Sequence, residues 1–485
     1  MQYKVIDTGN YRQIMDKYHV GSLLAKIVSS FNYTEEELVS FFAPEKYGTY
    51  CHESFERIKE ILLEAKAKGL KVFVFGDYDC DGICATALMV RLLEMLGIEN
   101  GYYIPNRFTE GYGLNVTRVM QASQKGYDVL ITVDNGVSAH QALSYARNAG
   151  MKVIVTDHHV ISEEVNCDIL CHPQLFADDY RYMCGTGVIF LLADYLGLAD
   201  AWMKELAMIA TIGDVMELKG FNVQLVREGL KLFNEHAVKC IDVLGGSLKY
   251  PCDETDVAFR IVPALNSIGR LADRANPNQA VRFLLTDDIR EIQVLAQQIR
   301  NLNEQRKAMT SAQYELVRSL YIESEDFAVI CDESLHEGIT GILAGKLCDE
   351  MKKPCIVFTQ SGELLKGSGR SIPSVDIFKT VSGFADRCVA LGGHPQACGI
   401  TIEKSRYDEF ISYLKDNYHG SEYVPVKECI ELNYQDLTSE NIDEVFRYSP
   451  YGQGRKIPVL RLADGTVIKL SLRAYNGYYA DRFSI

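Results

Sequence analysis

The sequence predicts an α/β protein in which a parallel sheet covered by helices forms the largest domain. Three continuous apolar runs support this fold class, namely Lys71–Phe75 (KVFVF), Val129–Val133 (VLITV) and Lys152–Thr156 (KVIVT). Such runs are typical of strands that are buried on both faces, and helical patterns fill the intervals between them. The chain of 485 residues is 47% hydrophobic, so it can bury several cores.

The sheet domain is expected over residues 71–286, with a helical N-terminal extension over residues 1–70. After the first strand, the segment from Gly82 to Leu96 has a helical pattern. Residues 287–325 are polar and charged, and from Asp287 to Glu323 they contain neither Pro nor Gly. This composition predicts a long connecting helix.

A second, smaller α/β domain is expected over residues 326–404. It begins with a strand near Phe327 (FAVIC), continues through a glycine-bearing helix at His336–Lys346 and reaches a second strand at Pro354–Phe358. Residues 405–485 start with a helical pattern and then become strand-like on both sides of the turn Asp464-Gly465. We expect a small β-rich C-terminal domain there.

Composition limits the location of the protein and its class of function. No apolar run reaches the roughly 20 residues of a membrane-spanning helix, and the first residues lack the pattern of a secretion signal. We therefore expect a cytoplasmic protein with no membrane partner. The net charge of −15 argues against a protein that coats nucleic acid, because such binding depends on neutralising phosphates. It does not exclude a nuclease, since metal-binding carboxylates carry part of this charge.

The fourteen cysteines are scattered through apolar segments and form no pair of CxxC motifs, so we expect reduced thiols. Cys167, Cys171 and His172 are close enough in sequence to suggest a zinc site. However, no second pair at zinc-binding spacing follows them. Zinc is therefore the weaker interpretation of this segment.

Three alternating carboxylates, Asp77, Asp79 and Asp81, follow the first predicted strand. They would repel each other strongly without cations. The pattern DxDxDG also matches the start of a calcium loop, and an Asp after a strand is often a helix cap. The calcium interpretation fails because Gly82 leads into an apolar helical segment that lacks the further oxygen ligands of such a loop.

Further polar motifs follow the other strands. Asp134-Asn135-Gly136 follows the second run and Asp157-His158-His159 follows the third, which places both at the same edge of a parallel sheet. Asp214 lies in an apolar stretch, where an unpaired carboxylate would be costly. Oxygen and nitrogen donors without thiolates suit manganese or magnesium, and a shared carboxylate can hold two such ions. The motifs therefore predict a two-metal site that activates water for phosphoryl transfer.

The motifs DYDCDG, VDNG, TDHH and GDV, in this order, resemble those of the DHH phosphoesterase superfamily. Within it, the segments Ile104–Asn115, Pro263–Pro277 and Phe283–Asp288 are similar to RecJ exonucleases. His336–Leu347, Gly367–Ser371 and Gly392–Gly399 resemble the DHH-associated domain that binds substrate. Ser449–Leu462 resembles the entry to an oligonucleotide-binding barrel, which we expect to be shortened here.

This resemblance implies a 5′-to-3′ exonuclease that degrades single-stranded DNA in recombination and repair, with two divalent cations, manganese preferred and magnesium possible. A single-strand-binding protein or a helicase is the implied partner. The implied metal ligands are Asp77, Asp79, Asp81, Asp134, His158 and Asp214. Asp134, Asp157, His158 and His159 would be catalytic, with Asp157 orienting the imidazoles and His159 contacting metal or phosphate. The implied substrate contacts are Arg107, Tyr112, Asn115, Arg270, His336, Arg370, Ser371, Gly392, Gly393 and His394.

Two departures from the family pattern leave alternatives open. Asn135 stands where Cys is expected in many RecJ sequences, and we expect a shortened C-terminal barrel. Lys469, Arg473, Tyr475, Tyr478 and Tyr479 could partly replace the barrel as a surface for single strands. The alternatives are a phosphodiesterase of short oligonucleotides or cyclic dinucleotides, and an inactive replication scaffold. The scaffold is disfavoured because the ligand set is complete.

Overall fold

The computed structural model describes residues 2–43, 46–111, 113–236, 238–246, 248, 250–321, 326–420, 423 and 425–470. Contacts divide the chain into two compact units. The larger unit comprises Tyr3–Arg300 and Lys427–Ile485, and the smaller unit comprises Asn301–Val426 with Met1–Gln2.

The described strands and helices alternate along most of the chain. The strands are β1 (Gln2–Val5), β2 (Val72–Phe75), β3 (Asn100–Tyr103), β4 (Val129–Val133), β5 (Lys152–Thr156), β6 (Ile169–Cys171), β7 (Ala328–Cys331), β8 (Cys355–Ser361), β9 (Leu364–Arg370), β10 (Ala390–His394), β11 (Ala397–Glu403), β12 (Val426–Leu432), β13 (Val459–Leu462) and β14 (Val467–Ile468). The helices are α1 (Tyr11–Tyr18), α2 (Ser22–Ser29), α3 (Glu35–Phe42), α4 (Glu53–Lys68), α5 (Cys80–Leu96), α6 (Val116–Gln124), α7 (His140–Asn148), α8 (Gly185–Tyr195), α9 (Ala201–Gly213), α10 (Phe221–Asn234), α11 (Lys239–Gly245), α12 (Glu254–Asp256), α13 (Val262–Arg270), α14 (Asn278–Leu285), α15 (Ile289–Leu320), α16 (Thr340–Met351), α17 (Ile377–Ser382), α18 (Tyr407–Asn417) and α19 (Ser439–Arg447).

The larger unit is built on a five-stranded parallel sheet with the order β3-β2-β4-β5-β6. The predicted α/β class is therefore confirmed, and β4 and β5 have the bounds of their predicted apolar runs. The strand order reverses between β2 and β4. Ligands of open α/β sheets bind beyond the carboxyl ends of the strands at such a point.

Helices cover both faces of this sheet. Helix α5 is buried along nearly its whole length because it packs against α8 and α9 as well as the sheet. On the other face, Val119 of α6 and Leu143 of α7 pack against Leu130 and Val153 of the sheet. The fold thus holds the carboxyl ends of β2, β4 and β5 between rigid layers.

A second core of the larger unit joins the two ends of the chain. The strand order β1-β12-β13-β14 forms a small sheet, and helices α1 to α3 pack on it together with α19. A buried ion pair joins Lys26 to Asp436 at 2.7 Å. These contacts join parts of residues 1–70 and 426–470 in one core, and within residues 426–470 the strand-like segments form β12, β13 and β14.

The smaller unit contains a five-stranded sheet with the order β10-β11-β9-β8-β7, in which only β7 and β8 are parallel. Helix α16 packs on one face, and α17 and α18 share the core on the other. Phe410 and Leu414 of α18 belong to this core, so the contacts continue past the predicted boundary at residue 404. The other predicted domain boundaries stay predictions.

The polar segment predicted as a connecting helix is helix α15, and the division between the units falls within it. Among the described helices, none combines the length and the apolar character that crossing a membrane requires.

Candidate metal centre

The acidic motifs meet at the carboxyl edge of the parallel sheet. Asp77, Asp79 and Asp81 follow β2, Asp134 follows β4, and Asp157 follows β5, while Asp214 comes directly after helix α9. The ends of β2 and β4 flank the reversal of strand order, so the motifs lie where this class of sheet places its ligand site.

The side chains form three overlapping donor groups, and within each group the possible ligand atoms lie within 4.8 Å of one another. Asp134 and His158 each belong to two groups, which makes them the shared members. The groups are Asp77, Asp79 and Asp134; Asp81, His158 and Asp214; and Asp134, His158 and His159. All six predicted metal ligands are therefore brought together.

His158 lies at the centre of the cluster. Its Nε2 atom is 3.1 Å from Oδ1 of Asp134, 3.5 Å from Oδ2 of Asp214 and 3.8 Å from Oδ2 of Asp81. Nevertheless, Oδ1 of Asp134 and Oδ1 of Asp77 are buried and accept no hydrogen bond from the described residues. Buried polar atoms are rarely left without a partner, so these two oxygens fit ligands of a cation.

The electrostatics also indicate a cation site. Burial, followed by repulsion from Asp81, Asp79 and Asp77, raises the pKa of Asp134 well above its usual range. Burial and the charges of Asp81 and Asp79 raise the pKa of Asp214 to about 8. A carboxylate cluster with this much mutual repulsion is stable in its charged form only with bound cations.

The residues Asp157-His158-His159, called the DHH triplet below, are arranged around the buried carboxylate of Asp157. Its Oδ1 accepts hydrogen bonds from the backbone N–H groups of His158 at 2.7 Å and His159 at 3.1 Å, and contacts Nδ1 of His159 at 2.8 Å. Its Oδ2 accepts one from the N–H of Val137 at 3.0 Å. Asp157 belongs to none of the three donor groups, so its contacts fit a residue that orients the imidazoles.

The two histidines of the triplet differ in charge behaviour. Burial opposes the charged form of His159, but the hydrogen bond and charge of Asp157 outweigh it and raise the pKa of His159 to about 9. Burial lowers the pKa of His158, although Asp81 opposes this shift. Burial likewise works against the charged form of Asp157, and the contacts with His159 outweigh it, so the pKa of Asp157 is lowered.

The N-terminus of helix α8 is a part of the site that the sequence did not reveal. The N–H groups of Gly185 and Thr186 donate to the two oxygens of Asp81 at 2.7 Å and 2.8 Å. A Cβ atom on Gly185 would lie 2.6 Å from Cβ of Asp134. The only signal was the glycine pair in the segment Gly185-Thr186-Gly187, which by itself predicts no particular contact.

Backbone strain is concentrated at the same place. Asp134 has a φ of 59° and Val215, directly after Asp214, has a φ of 55°. Positive φ is rare for residues other than glycine and is a true outlier for a β-branched residue such as Val215. Strain of this kind persists where the surrounding structure enforces it, often at functional sites.

Other residues complete the loop between β2 and α5. Asp79 caps α5 by accepting from the N–H of Gly82 at 3.0 Å, so the cap and metal interpretations of this Asp are compatible. Asn135 donates to the carbonyl oxygens of Phe75 at 3.2 Å and Val133 at 2.9 Å. The amide nitrogen of Asn135 is thus satisfied at the strand ends, whereas its buried Oδ1 accepts no hydrogen bond from the described residues.

Two predicted substrate arginines lie near this loop. The guanidinium of Arg107 stacks over the ring of Tyr78 at 5.1 Å. Burial raises the pKa of Tyr78 to about 12, and the charges of Arg107 and Arg270 act against that shift, which places both arginines beside the acidic loop. Asn115 instead caps helix α6, where its side chain accepts from the N–H of Arg118 at 3.0 Å. Tyr112 lies outside the described residues, as do Arg473, Tyr475, Tyr478 and Tyr479.

The remaining predicted substrate residues lie in the smaller unit. Arg370 ends β9, and its Nη1 donates to the carbonyl of Gly369 at 2.7 Å. Ser371 donates to the carbonyl of Val375 at 2.7 Å, and Nδ1 of His336 accepts from Gly338 at 3.1 Å. Gly392, Gly393 and His394 form the end of the exposed edge strand β10. Their roles stay predictions.

The zinc alternative gains no support. Among the described residues, the groups that could hold a metal do not include Cys167, Cys171 or His172. His172 is occupied by hydrogen bonds instead, with Nε2 at 2.8 Å from the carbonyl oxygen of His159.

Comparison with known proteins places this arrangement in a family. Residues 71–213 match the DHH family, N-terminal domain, and residues 324–420 match the DHHA1 domain. The single-stranded-DNA-specific exonuclease RecJ of Bacillus subtilis is 30% identical over 92% of this chain and 59% of its own length. RecJ of Haemophilus influenzae is 30% identical over 82% of this chain and 76% of its own length.

A solved structure agrees with these sequence matches. The crystal structure of RecJ from Thermus thermophilus in complex with Mn2+ superposes with a TM-score of 0.82 at 27% identity, covering 95% of this chain and 69% of the other. The chain spans 59% of the length of its Bacillus subtilis relative. Because the motifs, both domains and the overall sequence agree, this chain belongs to the RecJ family of DHH-domain proteins.

Proposed function

We propose that this protein is a metal-dependent exonuclease that hydrolyses single-stranded DNA in the 5′-to-3′ direction, in recombination and repair. The observation that carries the proposal is the convergence of six side chains that could bind metal at the strand-order reversal, where two buried carboxylate oxygens accept no hydrogen bond from the described residues. The names of the relatives supply the substrate class, because they are single-stranded-DNA-specific exonucleases.

The donor set fits two divalent cations, with manganese preferred and magnesium possible. Carboxylate oxygens with one or two imidazole nitrogens suit these ions, and thiolates are missing from the three donor groups. Solved RecJ structures from Thermus thermophilus contain Mn2+ in one case and Mg2+ in another. The residues that would hold the ions here are Asp77, Asp79, Asp81, Asp134, His158 and Asp214.

When bound, two such cations lower the pKa of a shared water and stabilise the charge that develops on phosphate. Asp134 belongs to two donor groups, so its carboxylate would be the bridging ligand. Asp157 holds the main chain and ring of His159, which places that imidazole to contact metal or phosphate. The N–H groups at the start of α8 donate to both oxygens of Asp81 and hold its side chain in place.

In the smaller unit, Arg370 is the best candidate for a phosphate contact. Burial lowers the pKa of its guanidinium, and no carboxylate among the described residues lies within ion-pair distance of it. A partly buried arginine without an acidic partner can offer its paired N–H groups to a phosphate. We propose that Arg370 binds the DNA backbone, and that Arg107 and Arg270 do so near the metal site.

The test uses the purified chain with Mn2+ and oligonucleotides labelled at either the 5′ or the 3′ end, in DNA and RNA, single-stranded and double-stranded. The proposal expects release of mononucleotides from the 5′ end of single-stranded DNA, with no activity for Asp134→Asn. The proposal would be overturned if folded protein loaded with Mn2+ left the labelled single-stranded DNA uncut. Faster cleavage of dinucleotides than of long strands would favour the short-substrate alternative.

We also propose that the protein works in the cytoplasm with a single-strand-binding protein or a helicase. The support is its proposed substrate, because single strands in cells are produced by helicases and covered by binding proteins. Affinity purification with the chain as bait would test this, and failure to retain either class of protein would argue against it.

A further inference from the structure

His172 is a buried residue at the carboxyl edge of the parallel sheet, and the proposed chemistry does not use it. It comes directly after β6, and Cys171 at the end of β6 pairs with Thr156 at the end of β5. His172 therefore takes the same position beyond its strand as Asp157 takes beyond the neighbouring strand. Its side chain is fully buried.

Both ring nitrogens of His172 have backbone partners. The N–H of Gln174 donates to Nδ1 at 3.1 Å, and Nε2 lies 2.8 Å from the carbonyl oxygen of His159. An imidazole that accepts a hydrogen bond at Nδ1 carries its proton on Nε2. Nε2–H of His172 therefore donates to the carbonyl of His159.

The contact holds an atom of His159 that Asp157 does not hold. Asp157 accepts from the backbone N–H of His159 at 3.1 Å and contacts its ring Nδ1 at 2.8 Å. With the carbonyl held by His172, the residue is restrained through its N–H, its carbonyl and its ring. The restraint acts on a loop of twelve residues, 157–168, that joins β5 to β6.

We infer that His172 is a positioning residue of the metal centre, which holds the main chain of His159 and through it the imidazole that faces the metal and phosphate. The inference rests on the proposed function for its catalytic consequence. Partners of this kind orient the groups that contact the metal, and their loss typically reduces metal affinity or activity by about 10- to 100-fold. The effect should fall on kcat and metal affinity more than on KM for DNA.

The chain offers a matched control in His52. Its Nδ1 also accepts from the N–H two residues later, that of Ser54, at 3.2 Å, and its Nε2 lies 3.1 Å from the carbonyl oxygen of Leu175. His52 thus makes the same two backbone contacts without touching the DHH triplet, and its Nδ1 also lies 2.8 Å from Oγ of Ser54. His172→Phe and His52→Phe remove equivalent bonds, and only the first loosens His159.

The experiment compares kcat, KM and Mn2+ affinity for the full chain and these variants, with melting temperatures to confirm folding. We expect His172→Phe to lose at least about tenfold in kcat or Mn2+ affinity, with KM for a single-stranded oligonucleotide within about twofold. His52→Phe should keep both within about twofold. Equal losses for the two variants, or a folded His172→Phe with normal kcat and Mn2+ affinity, would overturn the inference.

A second pair of variants decides the matter if His172→Phe does not fold. Gln and Met have similar shapes, but only Gln carries an N–H that can reach the carbonyl of His159. His172→Gln should recover most of the activity and His172→Met should not, and equal behaviour would refute the role.

Mn2+ affinity, measured by calorimetry with the metal alone, separates this inference from the proposed function. If the wild-type chain binds Mn2+ but cleaves no nucleic acid, the function proposed above fails. His172 is then judged by whether His172→Phe weakens Mn2+ binding while His52→Phe does not.

Discussion

Replacing Asp134 with Asn should abolish nuclease activity and, at the same time, stabilise the metal-free protein. The side chain is fully buried among carboxylates, and its Oδ1 accepts no hydrogen bond from the described residues. Asn has the same shape and no charge, so it removes the repulsion without leaving a cavity. The same change removes the ligand shared by two donor groups, which explains the loss of activity.

The size of the stabilisation follows from the geometry. The possible ligand atoms of Asp134, Asp77 and Asp79 lie within 4.8 Å of one another. At this separation and an effective dielectric constant of about 20, two charges repel by roughly 3 kcal/mol. Partial protonation relieves part of this repulsion, so we expect the metal-free variant to gain about 1–3 kcal/mol, within the range measured for unsatisfied buried polar groups.

The gain should depend on pH in a defined direction. The folded-state pKa of Asp134 is raised above its unfolded value, as is that of Asp214, to about 8. Such groups favour the folded state below the unfolded pKa, near 4, and this contribution is lost as pH rises through the folded pKa. The stability difference between Asp134→Asn and the wild type should therefore grow from pH 5 to pH 8.5.

The assay is chemical denaturation of chelator-treated protein across this pH range, repeated with saturating Mn2+. Without metal the variant should be more stable than the wild type, and with Mn2+ the order should reverse, because only the wild type has the full ligand set. Asp81→Asn is the matched control. Asp81 accepts two backbone N–H bonds at 2.7 Å and 2.8 Å, so its replacement should destabilise even the metal-free protein by about 1–3 kcal/mol. A metal-free Asp134→Asn protein less stable than the wild type at pH 8 would refute the reasoning.

Three further outcomes are expected. Calorimetry should show tighter Mn2+ binding at pH 8.5 than at pH 5.5, with proton release, because protons compete for Asp214, whose pKa is about 8; pH-independent affinity would argue against Asp214 as a ligand. Arg370→Ala should raise KM for single-stranded DNA about tenfold and reduce the salt slope of binding by about one, with Mn2+ affinity unchanged; a normal KM would remove Arg370 from the DNA path. Gly185→Ala should weaken Mn2+ binding and lower the stability by about 1–3 kcal/mol, because its Cβ would lie 2.6 Å from Cβ of Asp134. Gly187→Ala is the control, because the nearest atom there is the flexible end of Met183, which can move aside. Equal melting temperatures for the two alanine variants would contradict this.

The strands around the site could be predicted because burial on both faces requires continuous apolar runs. β4 and β5 have the same bounds as their predicted runs. The motifs that contain Asp134 and His158 come directly after these two strands in the sequence. Since the ends of neighbouring parallel strands meet at one edge, the convergence of Asp79, Asp134 and His158 followed without knowledge of any contact distance.

The contacts that complete the site could not be predicted in the same way. The donors to Asp81 are backbone N–H groups of α8, and every residue except proline carries such a group, so no residue type marks them. Asn115, whose substrate role stays a prediction, shows that residue type alone does not assign a contact. An amide suited to hydrogen-bonding a substrate is equally suited to capping a helix, and here it caps α6.

The packing of the N-terminal helices against residues 427–470 also could not be predicted from the sequence pattern. Periodicity shows that α2 has an apolar face and that β12 is strand-like, but it does not identify the partner of either. The contact of Lys26 with Asp436 joins residues more than 400 positions apart. Such pairings are decided by tertiary packing rather than by local preference.

The buried acids at the carboxyl edge of the parallel sheet are less well compensated than a buried acid elsewhere in the larger unit, and this difference affects folding. Away from the site, the buried acid Asp436 has a lysine at 2.7 Å, and Asp157 within the site accepts several hydrogen bonds. At the candidate metal centre, Asp134 combines positive φ, burial and an oxygen that accepts no hydrogen bond from the described residues. Each of these features opposes folding in the absence of metal, and cation binding relieves the repulsion directly. Metal binding and folding should therefore be coupled at this edge of the sheet, so that chelation loosens the ends of β2 and β4 first.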